Sequence, residues 1–96
     1  MVASDIRYAQ EFAMANGLSK GVIFTSGAAV YTFSPSSGLD PAGRLPAGVT
    51  VASDFTINFN SLGEPTLGGG GSFTISGSGQ TRTISIVNYT GKVNIS

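Results

Sequence analysis

Asp5-Ile6-Arg7-Tyr8-Ala9-Gln10-Glu11-Phe12-Ala13-Met14-Ala15-Asn16-Gly17 is the stretch that decides the fold, because it is the one good helix in a chain that otherwise reads as strands and turns. Val2, Ile6, Ala9 and Ala13 recur at helical spacing and form a narrow apolar stripe. Phe12 widens the stripe on one side, Tyr8 lies at its rim, and Arg7, Gln10 and Glu11 fall opposite. The small Ala9 and Ala13 let such a helix lie close against a sheet, so Ile6, Ala9, Phe12 and Ala13 are the expected helix-to-sheet packing residues. Asn16-Gly17 supplies the stop, since glycine takes the left-handed conformation at a helix end without steric cost. The start is blunt. Ser4 can cap, but Arg7 stands where a capping box needs Glu or Gln. Such a start suggests the C-terminal part of a longer helix.

Working outward, the pattern changes from helical spacing to alternation. Gly21–Thr25 and Ala29–Ser34 read as two strands joined at Ser26-Gly27. The segment Ser34–Pro46, with its prolines and glycines, reads as a loop. Val49–Ala52 is a short strand, and Phe55–Asn60 is the cleanest one, with Phe55, Ile57 and Phe59 on one side. Gly68–Gly71 reads as a flexible loop. Phe73–Ser76, Thr81–Tyr89 and Lys92–Ser96 are further strands, with turns at residues 77–80 and at Thr90-Gly91. The two loops, Ser34–Pro46 and Gly68–Gly71, are expected to be the most mobile parts. These pieces assemble as an α+β domain: one N-terminal helix packed on antiparallel β-sheets. The strands are too many for one small sheet, which points to two packed sheets with the helix covering one of them. The 96 residues make a single domain, with residues 1–17 as the end of the helix and 20–96 as a β-rich head.

Composition narrows the function. Five basic and five acidic residues balance to zero net charge, which argues against strong generic attraction to nucleic acid or an anionic membrane. The chain has no cysteine and no histidine, so disulfides, cysteine-based metal sites and the usual general base are excluded. Apolar runs such as Val22-Ile23-Phe24 fall far short of the ~20 residues that a membrane helix needs, and the start does not read as a signal peptide. The acids Asp5, Glu11, Asp40, Asp54 and Glu64 form no evident catalytic pair, and Asp40 and Glu64 stand in turn sequences where acids have an ordinary role. The four-glycine run lacks the Lys-Ser or Lys-Thr of a phosphate loop. Ser-Lys catalysis would need Lys20 or Lys92 buried near a serine. The expectation is a protein that is not an enzyme and uses no cofactor or metal.

Several segments resemble the GspH/FimT pseudopilins. Asp5 to Gly17 is similar to that family's alanine-rich helix end, which stops at glycine before the first strand. Leu45-Pro46-Ala47-Gly48-Val49 resembles its Leu-Pro-x-Gly-Val segment. Ile57-Asn58-Phe59-Asn60-Ser61-Leu62-Gly63 resembles its strand ending in Phe-x-x-x-Gly. Thr83-Ile84-Ser85-Ile86 with Tyr89-Thr90-Gly91-Lys92-Val93 resembles its closing hairpin. The resemblance runs in order along nearly the whole chain. It implies a β-sandwich-like head behind a long helix. It also implies a cleaved leader and a hydrophobic inner-membrane helix outside this sequence, with Met1 starting a trimmed head in the periplasm or extracytoplasmic space. The implied role is structural: a minor pseudopilin of a type II secretion pseudopilus or type IV pilus, whose partners are other pilins or pseudopilins. The isolated head is expected to be a monomer. The alternative is a DNA-binding minor pilin for DNA uptake, because some FimT-like members carry a C-terminal Gly-Arg-x-Arg that contacts DNA. Here that stretch is Gly91-Lys92-Val93-Asn94, which departs at both arginines and leaves Lys92 and Arg82, on the two arms of the closing hairpin, as the candidate DNA contacts. A third reading is an exported sugar-binding domain, for which Tyr8, Tyr31 and Tyr89 would be the exposed aromatics.

Overall fold

The N-terminal stripe forms the expected helix and ends where glycine allows it. In a computed structural model that describes residues 2–77 and 79–96, α1 spans Val2–Asn16. Gly17 takes φ +65°, and the Leu18 amide donates back to the Ala13 carbonyl at 3.2 Å. This is the long backward bond of a Schellman ending, and it satisfies a carbonyl that the last turn would leave bare. Val2, Ile6, Ala9 and Ala13 are the buried residues of α1.

Eight strands follow. They are β1 (Lys20–Phe24), β2 (Tyr31–Ser34), β3 (Thr50–Val51), β4 (Phe55–Phe59), β5 (Pro65–Leu67), β6 (Ser72–Gly77), β7 (Gln80–Ile86) and β8 (Val93–Ile95). They form two antiparallel four-stranded sheets, ordered β2-β1-β4-β5 and β3-β6-β7-β8. The protein is therefore an α+β fold with one helix packed on two sheets. In the first sheet Val22 pairs with both Phe33 and Ile57, so alternation sends all three to the core. In the second, Ile84 and Ile86 pair with Ile95 and Val93, and Ile84, Ile86 and Val93 are buried.

The sheets meet through aromatic rings. The Phe73 ring lies 4.4 Å from that of Phe24 and 4.9 Å from that of Phe55. Fully burying such a side chain contributes roughly 1.5–3 kcal/mol. The helix contacts β1 and β4 and also β8, so it bridges the two sheets rather than covering one. The β1–β2 connection, residues 25–30, adds a backbone seam to β3: Gly27 N–H to Val51 O at 2.8 Å, and Val51 N–H to Ala28 O at 3.2 Å.

Most strand ends differ by a residue or more from the sequence reading, which assigns no strand at Pro65–Leu67, and two of the shifts have local reasons. β2 begins at Tyr31 because Val30 forms a bridge with Arg44 and the Tyr31 amide donates to Gly43 O at 2.7 Å. β7 ends at Ile86 because Tyr89, at φ +69°, turns the chain. The four-glycine run is a packed crossover between the sheets rather than a free loop. Gly70 N–H and Ile86 N–H exchange bonds with Ile86 O and Gly71 O at 2.8 and 3.0 Å. A Cβ on Gly68, whose φ is +84°, would stand 2.7 Å from Thr56 O. Glycine is needed there for close approach and for backbone sign together. The turn read at 77–80 contains Ser78, which with Met1 lies outside the described residues.

Candidate functional site

Alternation along β1 puts Lys20 on the same face as Val22 and Phe24, which is the core face. Its side chain is 0% exposed. A buried ammonium needs a partner, and the 34–46 loop brings one. Lys20 Nζ lies 2.8 Å from Asp40 Oδ1 and donates to Pro35 O at 2.6 Å. The Phe12 ring centroid is 4.2 Å from the same nitrogen, within cation–π range. Asp40 Oδ1 also accepts from the Tyr8 hydroxyl at 2.7 Å, and Oδ2 accepts from the Ser37 amide at 2.6 Å. Helix, first strand and loop are thus held at one carboxylate. A second tie is close by, where the Tyr31 hydroxyl donates to Asp5 on the helix.

This cluster changes two readings. Asp40 is more than an ordinary turn acid, and the 34–46 loop is anchored at its middle. Phe12 is half-buried, with its ring over the Lys20 ammonium and beside the Tyr8 ring. Ile6, Ala9 and Ala13 are fully buried as expected. The signal for Lys20 was in the sequence, as the first member of the alternating Lys20, Val22, Phe24 set. Its partner could not be read, because the pairing spans an irregular loop.

Burial by itself raises the Asp40 carboxyl, but hydrogen bonds from Lys20, Tyr8 and the Ser37 amide outweigh that and hold it below the ordinary carboxylate value. Burial, with the bond to Asp40, pushes the Tyr8 hydroxyl up to about 12. Burial, with the bond to Asp5, raises the Tyr31 hydroxyl as well. Chemically the cluster is closed on itself: each charge is matched, and the Asp40 carboxylate is held ionised. Among the described residues, no group of three His, Cys, Asp or Glu side chains could hold a metal ion.

The surface offers two other features. Gln10 Nε2 donates to Gly63 O and to Thr90 O, both at 2.8 Å, and so ties two neighbouring turns to the helix. Those turns expose Leu62 and Tyr89, 75% and 79% accessible. Of the three tyrosines, Tyr31 is buried, Tyr8 is half-buried and only Tyr89 stands out. Along the outer side of α1 runs a shallow hollow of about 460 Å³, lined by Ser4, Arg7, Tyr8, Glu11, Phe12, Ala15 and Asn16.

The structure does not bring Lys92 and Arg82 together. Val87 N–H bonds Lys92 O at 2.8 Å, so Lys92 stands at the turn end of the hairpin. Arg82 lies beyond the Thr83–Ser96 pair at the other end, about 17 Å away along β7 at ~3.4 Å per residue. Arg82 shares the alternation of the buried Ile84 and Ile86, whereas Lys92 alternates against the buried Val93, so the two occupy opposite faces. The chain matches no protein-family model, no curated protein and no solved structure.

Proposed function

We propose that this chain is the head of a filament subunit of the pilin or pseudopilin type, a structural protein that works by packing against other subunits. The observation that supports it best is how α1 is seated. One face, Val2, Ile6, Ala9 and Ala13, is buried on β1, β4 and β8, while Ser4, Arg7, Glu11, Met14 and Ala15 stay exposed. A helix held on one side of a two-sheet head leaves its other side for neighbours, which is the arrangement the resemblance to GspH/FimT pseudopilins implies. In this reading a hydrophobic anchor outside the present sequence fixes the protein in a bacterial inner membrane, with the head on the extracytoplasmic side. The partners are other pilins of a type II secretion pseudopilus or a type IV pilus. The role requires no catalysis, cofactor or metal from this chain. DNA uptake ranks second, since two cations on opposite faces of one hairpin give few simultaneous phosphate contacts.

Because the sequence contains no cysteine, a single introduced one reports unambiguously. Leu62→Cys, expressed in the source cell, should fractionate with membranes or sheared filaments and cross-link to another filament subunit identified by mass spectrometry. Recovery only as soluble, uncrosslinked protein would overturn the filament reading.

A further inference from the structure

The inward face of the second sheet runs on past its core. Ile84 and Ile86 of β7 are buried, and the same alternation puts Arg82 and Gln80 on that face beyond them. Across the β6–β7 pair Arg82 stands opposite Ile75, which packs against the core yet stays half-buried. A turn at 46–49 forms the facing wall. Val49 N–H donates to Pro46 O at 3.0 Å, and Gly48 takes φ +80°. Gly77 lets this turn close on the end of β6, because a Cβ there would stand 2.8 Å from Val49 Cα. Between turn and hairpin lies a hollow of about 190 Å³, with Pro46, Val49 and Ile75 as apolar lining and Gln80 and Arg82 as polar lining. Arg82 is unmatched there. Among the described residues the one ion pair is Lys20–Asp40, and no hydrogen bond engages the Arg82 guanidinium.

We propose that this hollow binds a carboxylate carried on a compact apolar group. Arg82 takes the carboxylate, because the planar guanidinium presents paired N–H donors that match its two oxygens. The Gln80 amide supplies a further donor beside it. Val49 and Ile75, both half-buried, keep apolar surface that the ligand body removes from water. Two sources carry this chemistry: a free branched-chain acid, and the C-terminal carboxylate of a peptide whose last residue is apolar. A phosphate would use Arg82 but leave the apolar wall bare, and a chain of zero net charge adds no long-range pull on anions. Size sets the limit. The hollow is smaller than the ~300 Å³ at which pockets for drug-sized ligands begin, so it accepts one side-chain-sized group. A fragment of that size on an exposed guanidinium binds weakly, with a Kd of about 1 mM. The proposal does not rest on the filament reading.

Amide chemical shifts of the whole chain, titrated near neutral pH with four probes, test it. The probes are isocaproate, N-acetyl-leucine, N-acetyl-leucinamide and inorganic phosphate. Both carboxylates should shift the amides of residues 47–49, 75–77 and 80–82 and saturate with a Kd of about 1 mM. The amide probe, which has the same apolar body without the charge, should bind about tenfold or more weaker, and so should phosphate. Tighter binding of N-acetyl-leucine than of isocaproate identifies a peptide C-terminus as the source, and the reverse order identifies a free acid. Arg82→Gln should weaken both carboxylates about tenfold, and Arg82→Lys should fall between, since it keeps the charge and loses the fork. Arg82 is exposed, and circular dichroism establishes that each variant is folded. Ile75→Thr, which trims the apolar lining, should weaken the carboxylates and leave phosphate unchanged. Four results would each overturn the proposal: no saturable shift by about 20 mM, an amide probe equal to its acid, phosphate as tight as the carboxylates, or an Arg82→Gln chain with unaltered affinity.

Discussion

Replacing Asp40 with asparagine isolates the energetic role of the buried pair. The change keeps the shape and an acceptor for Tyr8, but removes the charge that pairs with the fully buried Lys20. Breaking a buried ion pair from one side costs about 3–5 kcal/mol. Two features narrow that range. Asp40 is 10% exposed, so some water reaches the site, and Pro35 O with the Phe12 ring still stabilises the cation. The expected loss is therefore roughly 3–4 kcal/mol, against a total near 5–14 kcal/mol for a domain of this size. In urea, with a slope of about 1.2 kcal/mol per molar, the midpoint should fall by roughly 2.5–3.3 M. Denaturation followed by far-ultraviolet circular dichroism measures this directly. Adding Lys20→Met to Asp40→Asn should recover most of the loss, because a well-packed apolar side chain removes the stranded charge. A single-variant shift under about 0.5 M, or a double variant as unstable as the single, would refute the claim that an unpaired cation in the core is what the loop prevents.

Ala13→Leu should overpack the helix against β1 and β4 and cost about 1–3 kcal/mol; an unchanged denaturation midpoint would mean that the seat is looser than its full burial indicates. Gly68→Ala should lose more than about 1 kcal/mol, because the site has φ +84° and a Cβ would meet Thr56 O at 2.7 Å; calorimetry checks this, and a neutral result would return the glycine run to a free loop. Acid should release the anchored loop. Asp40 is held below its ordinary value of 3.8, so its contribution is complete above that value and disappears as pH falls through the lower folded value. Hydrogen exchange at 35–44 should stay slow from pH 7 to about 4.5 and accelerate selectively below about 3.5 after correction for the intrinsic rate, a change absent in Asp40→Asn. At the other extreme, the raised Tyr8 hydroxyl contributes stability that is complete below 10.0 and lost as pH rises toward about 12.

Local rules carried much of the architecture. The α1 stripe of Val2, Ile6, Ala9 and Ala13 and its glycine stop were legible because helix period and left-handed backbone preference act within a few residues. The Phe55, Ile57, Phe59 alternation was legible for the same reason, and so was the α+β class with two sheets. What tertiary structure alone decided was which distant groups meet. Lys20 stands in an inward position of β1, but only the folded path of the 34–46 loop brings Asp40 to it and completes a core ion pair. The glycines at 68–71 look like a flexible linker until Ile86 and Thr56 close on them. Lys92 and Arg82 look like neighbours on one hairpin until its register sends them to opposite ends and faces. Periodicity specifies which side of an element is buried. It does not specify what the rest of the chain brings against that side, because contacts across long loops depend on the whole path of the backbone.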